Sequence, residues 1–89
     1  MTSRTTKRFR ELLAALPRRV RAQADSGYEL FRKDPWHPGL HFKKVHDDPP
    51  MYSARVGIGY RAVAVMDGDA VIWFWIGTYA EYDKLLDHL

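Results

Sequence analysis

Residues 60–76 read YRAVAVMDGDAVIWFWI. Two apolar runs, residues 60–66 and 71–76, flank Asp67-Gly68, a dipeptide that favours the tight turn of a two-strand hairpin. Residues 71–76 are apolar at both parities of a strand, so they read as a central strand covered on both faces. Upstream, residues 52–56 reach this pair through Gly57-Ile58-Gly59, and residues 40–46 reach them through Asp48-Pro49-Pro50. Links this short suit an antiparallel meander, because a parallel crossover consumes about a dozen residues or more.

A sheet of this kind needs covering, and the flanking segments supply it. Phe9, Leu12, Leu13 and Leu16 follow the i, i+3, i+4, i+7 spacing of an amphipathic helix that Pro17 ends. Val20, Ala24, Tyr28 and Phe31 continue a second helical stripe, stopped at Asp34-Pro35 because the residue before proline avoids the helical region. With so short a break the two helices are expected to fold back as an antiparallel hairpin. Thr78 with Glu81 matches a capping box, and Tyr82, Leu85, Leu86 and Leu89 carry a short terminal helix. The expected fold is α+β, a single domain over residues 1–89: an N-terminal helical hairpin packed on a four-stranded, mainly antiparallel sheet, closed by a C-terminal helix. Residues 1–6 either add a short edge strand or fray.

At 89 residues, 46% hydrophobic and 13% aromatic, the chain has apolar surface enough to offset the entropy of ordering one core. It contains no cysteine, which removes disulfides and thiolate chemistry and fits a reducing compartment. Its first ten residues are polar and basic, with neither a secretory h-region nor a membrane span, so the protein is read as cytoplasmic. Residues 1–33 hold nine Lys and Arg against three Asp and Glu, and residues 34–89 hold five against eight. The helical half, with Arg18, Arg19 and Arg21, is therefore the half expected to attract a polyanion such as RNA, unless it is simply a solvated helix surface.

The chemical motifs are sparse. Among the four histidines, His37 and His41 have helical metal-ligand spacing, but Pro38-Gly39 between them rules out the helix, and no metal is expected. Gly57-x-Gly59 precedes a strand rather than opening a helix, so it is a turn and implies no nucleotide cofactor. Lys43, Lys44, Arg55 and Arg61 are cations inside strands. They are either edge protection by the lysines and salt bridges from the arginines to Asp47, Asp48 or Glu81, or a cationic floor for phosphate, beside which Tyr79 and Tyr82 stack on a base or move a proton, although core packing is the commoner fate of Tyr82.

Three segments resemble one family. Phe31-x-x-Asp34-Pro35-x-His37-Pro38-x-Leu40 is similar to the N-P-x-H-P-x-L loop after the second helix of the RelE/ParE toxin superfamily. Residues 52–61, YSARVGIGYR, resemble its Y-x-x-R-V-G-x-Y-R hairpin with one residue added, and residues 73–83, WFWIGTYAEYD, resemble the ending of one subgroup, where histidine commonly stands at the place of Tyr79. The resemblance spans about residues 6–86. It implies the toxin of a type II toxin–antitoxin pair with an antitoxin protein as partner, and either ribosome-dependent cleavage of messenger RNA, inhibition of DNA gyrase, or a non-catalytic binding role. In the ribonuclease case it implies that Arg61, Lys43 or Lys44 holds phosphate charge, that Tyr79 or Tyr82 transfers a proton, and that Arg55 corresponds to the arginine one strand earlier. Ser53 stands where basic members carry lysine, and residues 76–78 lack an arginine often found there.

Overall fold

The computed structural model describes the whole chain, Met1–Leu89. In order the elements are β1 (Thr2–Thr5), α1 (Lys7–Ala14), α2 (Arg18–Lys33), a 3-10 turn (Pro38–Leu40), β2 (Lys43–Asp47), β3 (Pro50–Val56), β4 (Tyr60–Asp67), β5 (Ala70–Thr78) and α3 (Tyr79–Asp87). The strands form one sheet in the order β1-β5-β4-β3-β2. The expected meander of β2 to β5 is antiparallel throughout, and β1 joins it parallel to β5.

The sheet thus has five strands where four were expected. Residues 1–6 resolve into an edge strand because β5, an apolar strand, needs a backbone partner on its outer side. The Thr2 N–H donates to Asp69 O at 3.0 Å, the Thr6 N–H to Trp73 O at 2.9 Å, and the Trp73 indole N–H to Ser3 Oγ at 3.1 Å. The Thr-Ser-Arg-Thr sequence of β1 carries no apolar alternation, so its strand character comes from β5 and not from its own pattern.

The helical hairpin also differs. Instead of lying flank to flank, α1 packs on β5, while α2 packs on β3 and the 3-10 turn. Each helix finds more apolar surface on the sheet than on its neighbour. An apolar groove of about 450 Å³ remains between them, lined by Phe9 and Leu13 of α1, Ala24 and Tyr28 of α2, and Ala54 and Trp73 of the sheet.

The core forms where α2 meets this sheet face. Phe31 stands edge-on to Phe42 and Trp73 at centroid distances of 5.0 and 5.3 Å, and Phe42 stacks on Tyr52 at 5.0 Å. Trp73 and Ile76 both join this cluster although they are three apart in one strand. A bulge permits it: Ala64 pairs with Trp73 and Val63 with Trp75, so Phe74 is skipped and the parity of β5 reverses. On β3 and β4, Ala54, Val56, Ala62 and Ala64 face the core, so Ser53, Arg61 and Val63 face the other side by alternation. That second face carries α3, which contacts β4 and β5. No helix is long and apolar enough to cross a membrane.

Candidate functional site

The second face holds an open polar cleft of about 360 Å³ between β2, β4 and α3. Its position follows from three local decisions of the sequence. The short β2 pairs with residues 50–53 of β3 and leaves residues 54–56 of that strand without a partner on their outer edge. The Gly57 turn, with φ +58°, allows Arg61 to enter β4 immediately after Tyr60. The capping box starts α3 directly after β5: the Glu81 N–H donates to Thr78 Oγ1 at 3.2 Å, and Glu81 Oε1 accepts from the Thr78 N–H at 2.9 Å. The Thr78 backbone N–H, and then its hydroxyl, hold the Glu81 carboxyl below its ordinary pKa of 4.5.

Arg61 lies in this cleft with its guanidinium 4.8 Å from the centroid of the Tyr79 ring. Its Nη1 donates to the carbonyl of Tyr60 at 2.8 Å and to that of Ile58 at 3.4 Å, so the backbone of the turn aims the cation while leaving other N–H groups free. Tyr79 is 47% exposed. A half-exposed phenol ring stacked on guanidinium presents an aromatic surface and a fixed positive charge side by side.

Lys43 pairs with Ser53 across β2 and β3, which gives it the parity of the cleft face, and it lines the cleft. Lys44 pairs with Tyr52 and has the other parity; it borders the cleft, but its Nζ lies 3.6 Å from Asp47. Of these four cations Lys44 alone forms a salt bridge, and the bridges expected from the arginines do not form. Arg55 and Arg61 both bond carbonyl oxygens, and Glu81 is committed to its cap.

Two expected site residues have their polar groups engaged within the chain. Tyr82 is 4% exposed and donates its hydroxyl to Ser53 Oγ at 3.0 Å, so it pins α3 to β3 rather than facing a substrate. Arg55 faces Arg61 in register, an unfavourable pairing of like charges, and turns back to donate its Nε to Gly57 O at 3.0 Å. By alternation its side chain shares the face of Arg61, although it does not line the cleft. Arg18, Arg19 and Arg21 belong to α2, across the sheet from the cleft, and the Arg21 guanidinium is bonded to the carbonyl of Leu16. The structure therefore brings Arg61, Lys43, Lys44, Tyr79 and the buried Tyr82 to the cleft, holds Arg55 on the same face outside it, and places Arg18, Arg19 and Arg21 across the sheet.

Two residues join the cleft that sequence reasoning did not select. Asp83 enters from α3, four positions after Tyr79 on the same helix face, a spacing visible in the sequence once Tyr79 is taken as a site residue. His41 enters from the end of the 3-10 turn, where it adopts a left-handed conformation with φ 49° and ψ 39°. Nothing in the local pattern announces that side chain. With Lys43, Lys44 and Arg61 against Asp83, the cleft carries an excess of positive charge suited to a phosphodiester.

No family model and no curated protein sequence matches the chain. Solved structures do. The toxin of the RelB-RelE antitoxin–toxin complex from Methanococcus jannaschii aligns with 91% of this chain and 95% of its own, at a TM-score of 0.70 and 21% identity. RelE from the RelE-RelB complex of Pyrococcus horikoshii OT3 aligns over 86% and 92%, at 0.68 and 16%. The toxin–antitoxin complex RelBE2 of Mycobacterium tuberculosis gives 86% and 95%, at 0.68 and 23%. The chain has the RelE-type toxin fold.

Proposed function

We propose that this protein is the toxin of a type II toxin–antitoxin pair and that it cleaves messenger RNA on the ribosome. The observation that carries the reading is the convergence, in one open cleft, of Arg61 and Lys43 with the exposed ring of Tyr79. Cleavage of RNA through its own 2′-hydroxyl generates a pentacoordinate phosphorus with added negative charge. Fixed cations aimed at that charge are worth about 10²- to 10³-fold in rate. A ring stacked beside them holds an unpaired base, which is how single-stranded RNA is gripped.

The fold supports a partner as well. The solved relatives are toxins in complex with RelB antitoxins. In this chain the groove between α1 and α2 is apolar at its base, with Arg10 at its rim. It fits an amphipathic antitoxin helix that carries acidic residues along one edge.

The test is expression without antitoxin, following incorporation of labelled amino acid and labelled thymidine in parallel for the wild type and Arg61→Ala. Protein synthesis stopping first, with Arg61→Ala restoring it, supports the ribonuclease. DNA synthesis failing first replaces it with a gyrase-directed toxin, and growth unaffected by the wild type makes the domain a non-catalytic binding relative.

A further inference from the structure

The cations of the cleft account for charge and Tyr79 for stacking, but neither takes a proton from a 2′-hydroxyl near neutral pH. Histidine is the side chain whose ordinary titration lies there. The chain contains four, and three of them have a ring nitrogen engaged with the backbone. His37 Nδ1 accepts from the Gly39 N–H at 3.0 Å, His46 Nδ1 lies 3.0 Å from Pro49 O, and His88 Nδ1 lies 2.6 Å from Lys84 O. His41 is the histidine whose ring makes no hydrogen bond within the chain, and it is the one that lines the cleft.

Its backbone is a second, independent observation. His41 is the sole non-glycine residue with positive φ in the molecule. A residue with a side chain gives up stability to hold that conformation, and such outliers gather where a side chain must be aimed. Here the left-handed step ends the 3-10 turn, with the His41 N–H on Pro38 O at 3.2 Å, and sends the chain into β2 with the imidazole at the cleft that Arg61 enters from β4.

We propose that His41 is a catalytic residue, the general base of the RNA cleavage assigned to this cleft; the inference rests on that ribonuclease reading. A ring nitrogen of His41 takes the proton of the 2′-hydroxyl. The 2′-oxygen forms a bond to phosphorus, the bond from phosphorus to the 5′-oxygen breaks, and the departing oxygen takes a proton from water. The products are a 2′,3′-cyclic phosphate and a 5′-hydroxyl, and His41 returns its proton to solvent. Arg61 and Lys43 hold the phosphate oxygens while this happens.

The variants His41→Asn and His41→Gly both tolerate a left-handed backbone, so each keeps the turn. The measurement is single-turnover cleavage of messenger RNA on programmed ribosomes across pH 5.5–8.5. Both variants are expected to lose about a hundredfold or more in rate, the usual worth of general acid–base catalysis, while ribosome affinity stays within about twofold. The wild-type rate is expected to rise with pH to a plateau, the form that general-base catalysis gives. The groups facing it, Lys43 and Lys44 from β2, Arg61 from β4, and Tyr79, Tyr82 and Asp83 from α3, stay unchanged in both variants, whose profiles should lose that rise. Added imidazole is expected to restore cleavage to His41→Gly, which a purely structural histidine would not allow. A His41→Asn variant as fast as the wild type overturns the assignment while leaving the ribonuclease intact. A wild type that cleaves nothing overturns both.

Discussion

Two tyrosines three positions apart on one short helix have different fates, and their hydroxyls show why. Tyr79 stands at the first position of α3, half exposed against Arg61, whereas Tyr82 is buried with its hydroxyl on Ser53 Oγ. Tyr82→Phe removes the partner of a buried hydroxyl, a loss of about 1–3 kcal/mol. It should lower the urea midpoint by the corresponding amount while leaving the cleavage rate of folded protein unchanged. Adding Ser53→Ala to Tyr82→Phe should recover part of the stability, since neither side then keeps an unpaired group; loss of cleavage at unchanged stability would instead give Tyr82 a place in the chemistry. Sequence reading favours core packing for Tyr82 but cannot name the group that holds its hydroxyl, because that group is Ser53 across the sheet. Ser53 itself, standing where the family resemblance leads one to expect lysine, is a buried anchor here.

The elements show the same division between local pattern and distant contact. The meander and α3 were legible because their signals are local: turn dipeptides, apolar runs and a capping box. The groove between α1 and α2 was not, because a helical stripe shows which residues are buried and not which element buries them. β1 was visible only as an alternative to fraying, because its stability is lent by β5. The capping box gives the sharpest expectation at this scale. Thr78→Ala removes the side-chain acceptor for the Glu81 N–H, at a cost of about 1 kcal/mol. The folded-state pKa of Glu81 lies below 4.5, so its ionised form stabilises the fold fully above that pH, and the contribution fades as pH falls through 4.5 and then through the lowered value. Glu81→Gln should therefore be less stable than the wild type at neutral pH, with the two converging on acidification; parallel denaturation curves that never converge would place the effect elsewhere. At the other end of the site, Gly57 has φ +58° and any added Cβ would meet the Gln23 side chain of α2. Gly57→Ala should destabilise by about 1 kcal/mol, read from its thermal midpoint, because an L residue is strained at that φ even after the Gln23 amide moves aside.

At the scale of the molecule the sheet is a partition. One face carries α1, α2 and the apolar groove, and the other carries α3 and the cationic cleft. The charge count along the sequence points to the helical face, because it is dominated by the helices, and does not reveal the cleft on the other face. The cleft instead gathers Lys43, Lys44 and Arg61, three of the five Lys and Arg of the more acidic half. Charges on the exposed start of α2 are separated from the cleft by the sheet itself. They act on it through solvent around the edge of the sheet, where the screening length at physiological salt is about 8 Å. The double variant Arg18→Ala/Arg19→Ala is thus expected to cleave RNA within about twofold of the wild-type rate, whereas Lys43→Ala should lose tenfold or more and flatten the dependence of RNA affinity on salt. The same double variant should bind an acidic antitoxin segment more weakly, since α2 forms one wall of the groove. If it instead loses as much cleavage as Lys43→Ala, the RNA must wrap around the edge of the sheet and touch both faces, and the division of labour between them fails.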